Sequence, residues 1–335
     1  MKIAIIGATG VLGREIVAAL AEADDAQEFG TPQLLATERS TSEVFPWLGE
    51  DELTVEIYSP EAIAGADAAI VATPSDAARP IVARLRELGI PALDASRANR
   101  AVEPIYFARG PLGKVGPALA AAPVLALPSA EALQLAYVIS ALEPLAPRAV
   151  RTHVLKAASG AGQPGVTELA EGTGRLLNGQ EPEAPTMPHR LAFNVVPQAG
   201  PFENGESESE RDLAAELPRM LGKSLLVAPT ISWAPWFYGH FQTVTVHFDK
   251  RVTVEEVRTS LTAERQIKLL DDPTQAIYPM PSLATGDDTI HVGRVRMDPL
   301  DPRAIQLVTA MDNARASAAH AVTALAAAIR ARRAH

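Results

Sequence analysis

The chain has 335 residues, 47% of them hydrophobic and 21% charged, with a net charge of −10 and no cysteine. The length exceeds one comfortable core, so two domains are expected. The acidic balance excludes a basic nucleic-acid-binding face, and the missing cysteine excludes disulfides, thiolate metal sites and any thiol chemistry.

No apolar run approaches the roughly 20 residues that span a bilayer. The first residues read as a strand carrying Lys2, with no apolar leader or cleavage site, so a cytoplasmic protein is expected. His153, His189, His240, His247, His291, His320 and His335 show no H-x-x-x-H or HExxH spacing, so no metal is expected. The short basic end "IRARRAH" reads as a solvated helix terminus.

"KIAIIG" at residues 2–7 is an apolar run typical of a central parallel strand. "VLGREIVAALAEA" follows with helical spacing of Val11, Leu12, Ile16, Val17 and Leu20. "PQLLATE" and "AAIVAT" read as strands, and "AARPIVARLRELG" as a helix stopped by Gly89. "IPALDAS" and "PVLAL" complete a βαβ series, so the first ~130 residues read as an open, mostly parallel doubly wound sheet. Within it, Gly7, Gly10 and Gly13 of "GATGVLG" stand between the first strand and its helix. Gly7 permits a tight turn, Gly10 lets backbone approach a phosphate, and Gly13 allows close helix–strand packing; the helix N-terminus attracts the anion. This predicts a dinucleotide site, the alternative being a tight βα turn without a ligand. Past the second strand, Glu38 could hold a ribose hydroxyl, whereas Arg39 beside Ser40 suits a 2′-phosphate. NADP is therefore the expected cofactor.

The apolar run Val124–Leu127 meets a Pro-Ser turn and then a helix starting near Glu131. Open α/β enzymes place reactive groups at such junctions, yet this one holds no obvious nucleophile. Ser129 reads as a helix cap and Glu131 as a first-turn acid favoured by the helix dipole. Beyond residue 145, "RAVRTHVLKAAS", "SLLVAPTISW" and "HFQTVTVHF" read as longer strands in a mixed or antiparallel sheet of an α+β domain. "PRAIQLVTAMDNARASAAHAVTALAAAIRARR" reads as one long, Ala-rich terminal helix. Residues 1–130 plus 309–335 are expected to form the dinucleotide-binding domain, and 131–308 the substrate and dimerisation domain.

Seven ordered stretches resemble the aspartate-semialdehyde dehydrogenases: "GATGVLG", "ERS", "LDASRANR", "AASGAGQPGVTEL", "FNVVPQAGPFENG", "YPMPSLATGDDTIHVGRVRMDP" and "AMDNARASAAHAV". In lacking cysteine, the chain resembles in particular the family's cysteine-less proteobacterial relatives. The resemblance implies a Rossmann-type NADP-binding domain, an α+β dimerisation domain with a mixed sheet, and a homodimer paired through that sheet. It also implies a cofactor site of Gly7, Thr9, Gly10, Val11, Leu12, Gly13, Arg39, Ser40, Thr73, Gly160 and Asn313.

The family reduces an acyl phosphate through a cysteine thioester, with a histidine as acid/base and basic groups holding the substrate. By resemblance, Ala130 stands at the nucleophile position in "LPSAEA", Lys156 replaces an acyl-orienting glutamine, and Trp233 replaces a substrate arginine. Asp212 maps to a substrate lysine. His240, Arg100 of the phosphate site and Gln134 survive. Serine at 129 is no simple substitute, because it has no evident base and an ester accepts hydride less readily than a thioester.

The expectation is therefore a catalytically degenerate homologue that binds NADP. One alternative is an active NADP-dependent oxidoreductase on a different aldehyde or oxo group, with His240, Lys156 or Tyr238 supplying the proton. Another is a binding protein that has lost its nucleotide.

Overall fold

A computed structural model describes residues 1–24, 26–40, 42–49, 51–110 and 122–333. The chain divides into two compact units, Met1–Ser129 with Ser317–His335, and Ala130–Ala316.

In the first unit, β1 (Ile3–Ile6) runs into α1 (Val11–Glu22) and a short turn of helix, α2 (Ala26–Phe29). Then follow β2 (Gln33–Ala36), β3 (Val44–Pro46), β4 (Glu52–Ile57), β5 (Ala68–Val71), α3 (Ser75–Glu87), β6 (Ala92–Asp94) and β7 (Val124–Ala126). Among the described residues the strands lie in the order β3-β4-β2-β1-β5-β6-β7. All pairs are parallel except β3 with β4.

Period-two alternation sends Ile3 and Ile5 to one face, where they pack with Ile16, Val17 and Leu20 of α1 and with Ala321, Val322, Leu325 and Ile329. Ala4 and Ile6 point the other way, against Ala78, Ile81, Val82 and Leu85 of α3. Both faces are covered, which is why these strands read as unbroken apolar runs. The chain returns toward opposite edges on either side of β1, so β1 and β5 form the topological switch point.

The second unit opens with α4 (Ala130–Ala141), every residue of which from Glu131 to Ala141 is buried. β8 (Pro147–Lys156), α5 (Gly162–Leu177), the two-residue hairpin strands β9 (Phe202–Glu203) and β10 (Glu206–Ser207), and α6 (Glu208–Leu221) follow. α6 starts with Glu210 Oε2 accepting from the Ser207 backbone N–H at 2.6 Å, and ends at Gly222 in the left-handed region. Next come β11 (Leu226–Trp233), β12 (His240–Phe248), α7 (Val254–Thr262), β13 (Ile267–Leu269), β14 (Ile290–Met297) and β15 (Ala304–Met311). They form a mixed sheet in the order β11-β8-β12-β15-β14-β13, with parallel pairs at both edges and antiparallel pairs between.

The terminal helix differs from expectation. Residues 304–311 are not helical: β15 pairs with β12 through eight residues and with β14 on its other side. Long-range pairing in the sheet centre overrides the helix propensity of its Ala and Leu residues. The helix, α8, spans Arg315–Arg333. Asp312 Oδ1 caps it, accepting from the backbone N–H groups of Ala314 and Arg315 at 3.0 Å each. The return to the first unit accordingly falls at Ser317 rather than at residue 309.

Candidate functional site

The glycine turn is built as its spacing predicts. Gly7 has φ +90°, and a Cβ there would lie 2.5 Å from the Ala72 carbonyl oxygen and 2.9 Å from Thr73 Cγ2, across the switch point. A Cβ on Gly13 would overlap the Gly7 carbonyl oxygen and the Ala8 backbone. The Gly7 N–H donates to Leu35 O at 2.8 Å and the Gly10 N–H to Gly7 O at 3.1 Å, which fixes the turn. Gly10 is the N-cap of α1 and offers no side-chain cap, leaving the first N–H groups, from Val11 onward, to an external acceptor. Thr73 Oγ1 is buried with no hydrogen-bond partner among the described residues. A cradle that a side chain would fill, beside an unpartnered hydroxyl, fits a dinucleotide phosphate. Ser40 closes a one-turn 3₁₀ segment, Glu38–Ser40; the Arg39 side chain lies outside the described residues.

Arg100 is the residue expected at a phosphate. Its Nε donates to Leu127 O at 2.8 Å and its Nη2 to Ala95 O at 3.0 Å, tying the carboxyl ends of β6 and β7 together. Asp94 organises the same turn, accepting from the Ser96 N–H at 2.8 Å and from Asn99 Nδ2 at 2.6 Å.

In the second unit, the corner that lacks a nucleophile holds a charged cluster instead. Ala130 is the first residue of α4, directly after buried Ser129. One residue on, Glu131 is only 5% exposed. Lys156 Nζ, at the end of β8, donates to Glu131 Oε1 at 2.8 Å. Lys156 pairs in register with Trp233 at the end of β11, and its ammonium sits 5.1 Å from the Trp233 ring centroid. Burial alone would raise the Glu131 carboxyl, but the Lys156 ammonium, with His240 and the Lys156 hydrogen bond, holds it below the usual carboxylate range.

His240 opens β12 and is 1% exposed. Its Nδ1 accepts the Ala157 N–H at 3.2 Å. Burial pushes the imidazole down to about 3, with Glu131 opposing and Lys156 adding to the depression. At neutral pH the ring is therefore neutral, with its proton on Nε2. Gly160 admits both rings: a Cβ there would lie 3.0 Å from His240 Cε1 and 3.1 Å from Trp233 Cζ3.

A polar network backs the cluster. Gln242 Nε2 donates to Glu131 O and to Gln134 Oε1, each at 3.0 Å, and Thr152 Oγ1 donates to Gln242 Oε1 at 3.1 Å. Gln134 Nε2 reaches His240 O at 3.4 Å and Thr309 Oγ1 at 3.3 Å. Asn313 Oδ1 accepts from Ser159 Oγ at 3.0 Å and from the Gly239 N–H at 3.1 Å, so it braces the loop that carries Gly160.

Lys156, Trp233, His240 and Gly160 thus come together, with Gln134; Asp212 lies half-buried on α6. Sequence reasoning missed Glu131 as the counter-charge and Gln242 as the network's centre. Gln242 had a signal: it is a polar residue on the buried face of β12, in line with Val244, Val246 and Phe248. Among the described residues no group of three or more His, Asp or Glu is placed to hold a metal. No described helix is long and apolar enough to cross a membrane.

A doubly wound nucleotide-binding unit joined to a mixed-sheet unit defines a two-domain NAD(P)-binding dehydrogenase architecture. Residues 2–149 match the family described as semialdehyde dehydrogenase, NAD binding domain, and residues 141–316 match semialdehyde dehydrogenase, dimerisation domain. The aspartate-semialdehyde dehydrogenase of Prochlorococcus marinus is 31% identical over 324 residues, 95% of this chain and 93% of that protein. Aspartate semialdehyde dehydrogenase II of Vibrio cholerae, in its complex with ASA, superposes with a TM-score of 0.88 at 25% identity, covering 98% of each chain. A probable aspartate-semialdehyde dehydrogenase of Pseudomonas aeruginosa gives 0.88 at 29% identity over 98% of each chain. The chain belongs to the aspartate-semialdehyde dehydrogenase family.

Proposed function

We propose that this member binds NADP as a homodimer in the cytoplasm but has lost the family's dehydrogenase reaction, making it a pseudoenzyme of amino-acid biosynthesis ancestry. One observation carries the reading. The chain has no cysteine, and at the head of α4 Ala130 is followed by a carboxylate already neutralised by Lys156. A thioester route needs a thiolate there, and an incoming acyl group would meet an internal ion pair rather than a free polar side chain. Trp233 cannot clamp a carboxylate as a guanidinium does. His240 remains, neutral and buried, without a thiol to serve.

Gly7, Thr9, Gly10, Val11, Leu12, Gly13 and Thr73 would hold the nucleotide's phosphates and nearby groups, and Arg39 with Ser40 its 2′-phosphate. NADP, when bound, supplies a hydride carrier; this chain's residues bind and orient it. The match to a dimerisation domain supports the homodimer. Purified protein given aspartate semialdehyde, phosphate and NADP is expected to show no NADPH formation above background. Turnover well above it would sink the reading.

A second reading is favoured by the neutral His240, whose Nε2–H is a proton donor beside an apolar Trp233 wall. It is direct, non-covalent hydride transfer to another carbonyl compound. NADPH oxidation across a carbonyl panel, lost in His240→Ala, would select it.

A further inference from the structure

The reading above uses Lys156 only as a counter-charge, yet the surroundings of its amine suit a specific covalent step. Its side chain is 10% exposed. A carboxylate lies at hydrogen-bond distance, an indole face lies beside it, and a neutral imidazole stands nearby with its proton on the far nitrogen. We propose that Lys156 captures small uncharged aldehydes as a protonated imine.

The balance of the step fits the cluster. Glu131 Oε1, 2.8 Å away, takes one proton from the ammonium. The freed amine attacks the carbonyl carbon; a C–N bond forms and the carbonyl π electrons move to oxygen. A proton passes from nitrogen to that oxygen, giving a carbinolamine. Glu131 returns its proton to the hydroxyl, the C–O bond breaks, and water leaves. The sum is an aldehyde plus an ammonium giving an iminium plus water, with no oxidant or reductant.

Charge selects this outcome. A buried pair resists any reaction that leaves one member unmatched. The iminium keeps the single positive charge opposite Glu131 and over the Trp233 face, so the cluster stays neutral throughout. Acylation of the same amine would erase that charge and strand Glu131. The indole and the carboxylate both disfavour an anionic ligand, which points to an aliphatic aldehyde carrying no charge. The inference concerns the mixed-sheet unit alone; it depends neither on nucleotide binding nor on loss of the dehydrogenase reaction.

Propionaldehyde, added near stoichiometry to the full chain with cyanoborohydride and followed by peptide mass spectrometry, tests it. Each of the six lysines is read separately: Lys2, Lys114, Lys156, Lys223, Lys250 and Lys268. Lys156 is expected to be alkylated at least about tenfold faster than any other, because the adjacent carboxylate relays the protons that carbinolamine formation and loss of water require. Lys156 unmodified, or no faster than the rest, overturns the proposal. In Lys156→Arg, which keeps the charge opposite Glu131, trapped aldehyde should fall to the level of the remaining lysines. In Glu131→Gln, capture at position 156 should slow; capture at the parent rate would remove Glu131 from the step and refute the mechanism.

Discussion

The Ala157 backbone N–H donates to His240 Nδ1 at 3.2 Å, and this single contact fixes both the tautomer and the charge of the ring. A protonated ring could not accept that hydrogen bond. Acid must therefore break it while charging a side chain that is 1% exposed.

Stability should weaken on the acid side. The folded-state pKa of His240 is depressed by burial to about 3, and that of His320, whose ring bonds Tyr106 O, to about 4. Between those values and the unfolded ~6.5 the unfolded chain binds more protons, so stability falls as pH drops through that window. Glu131, depressed in the folded state, adds a loss in the same direction at lower pH. Urea midpoints should fall from pH 7 to pH 5. His320→Asn should flatten the slope for the first unit; an unchanged slope there would contradict the burial account.

Breaking the Glu131–Lys156 pair should be expensive, and removing both members should not be. Lys156→Met or Glu131→Leu alone strands a buried charge at about 3–5 kcal/mol. The double variant replaces the pair with apolar side chains and should recover most of that loss. A double-mutant cycle by denaturant unfolding reads the coupling, and near-additive single effects would refute it.

Gly10→Ala separates folding from nucleotide binding. A Cβ there would lie 3.4 Å from Gly7 O and 3.8 Å from Ala72 O, which the free protein accommodates. The methyl group would project where backbone must approach a phosphate. The parent should gain ~2.7 kcal/mol at NADP near 100 times its dissociation constant. Gly10→Ala should keep the parent's unliganded Tm and lose that gain, whereas Gly13→Ala should lower the Tm itself.

Ala130→Cys alone should not restore the family's reaction. The new thiol would adjoin Glu131, whose charge disfavours a thiolate, and Lys156 and Trp233 would still occupy the substrate's place. High activity in the single variant, by NADPH formation, would show that those two positions do not block the site.

The first unit was legible because fully buried parallel strands leave apolar runs and because glycines mark a turn no other residue fits. "AIQLVTAM" was not, since its Ala, Gln, Leu and Met residues have good helix propensity and the Asp312-Asn313 turn after it reads as part of one continuous helix. At the site, Lys156, Trp233 and His240 stood out by comparison with a family pattern. The ion pair did not, because Glu131 and Lys156 are 25 residues apart and meet only when α4 packs on the sheet. Glu131 alone looked like an ordinary first-turn acid.

The Glu131–Lys156 pair also has a consequence for how this sequence can change. Once a glutamate and a lysine share a closed space, a change at either position passes through an uncompensated charge. That intermediate would cost about 3–5 kcal/mol of the roughly 5–15 kcal/mol that hold a domain folded. The pair works as a ratchet: neither member can be exchanged by a single substitution without stranding the charge of the other.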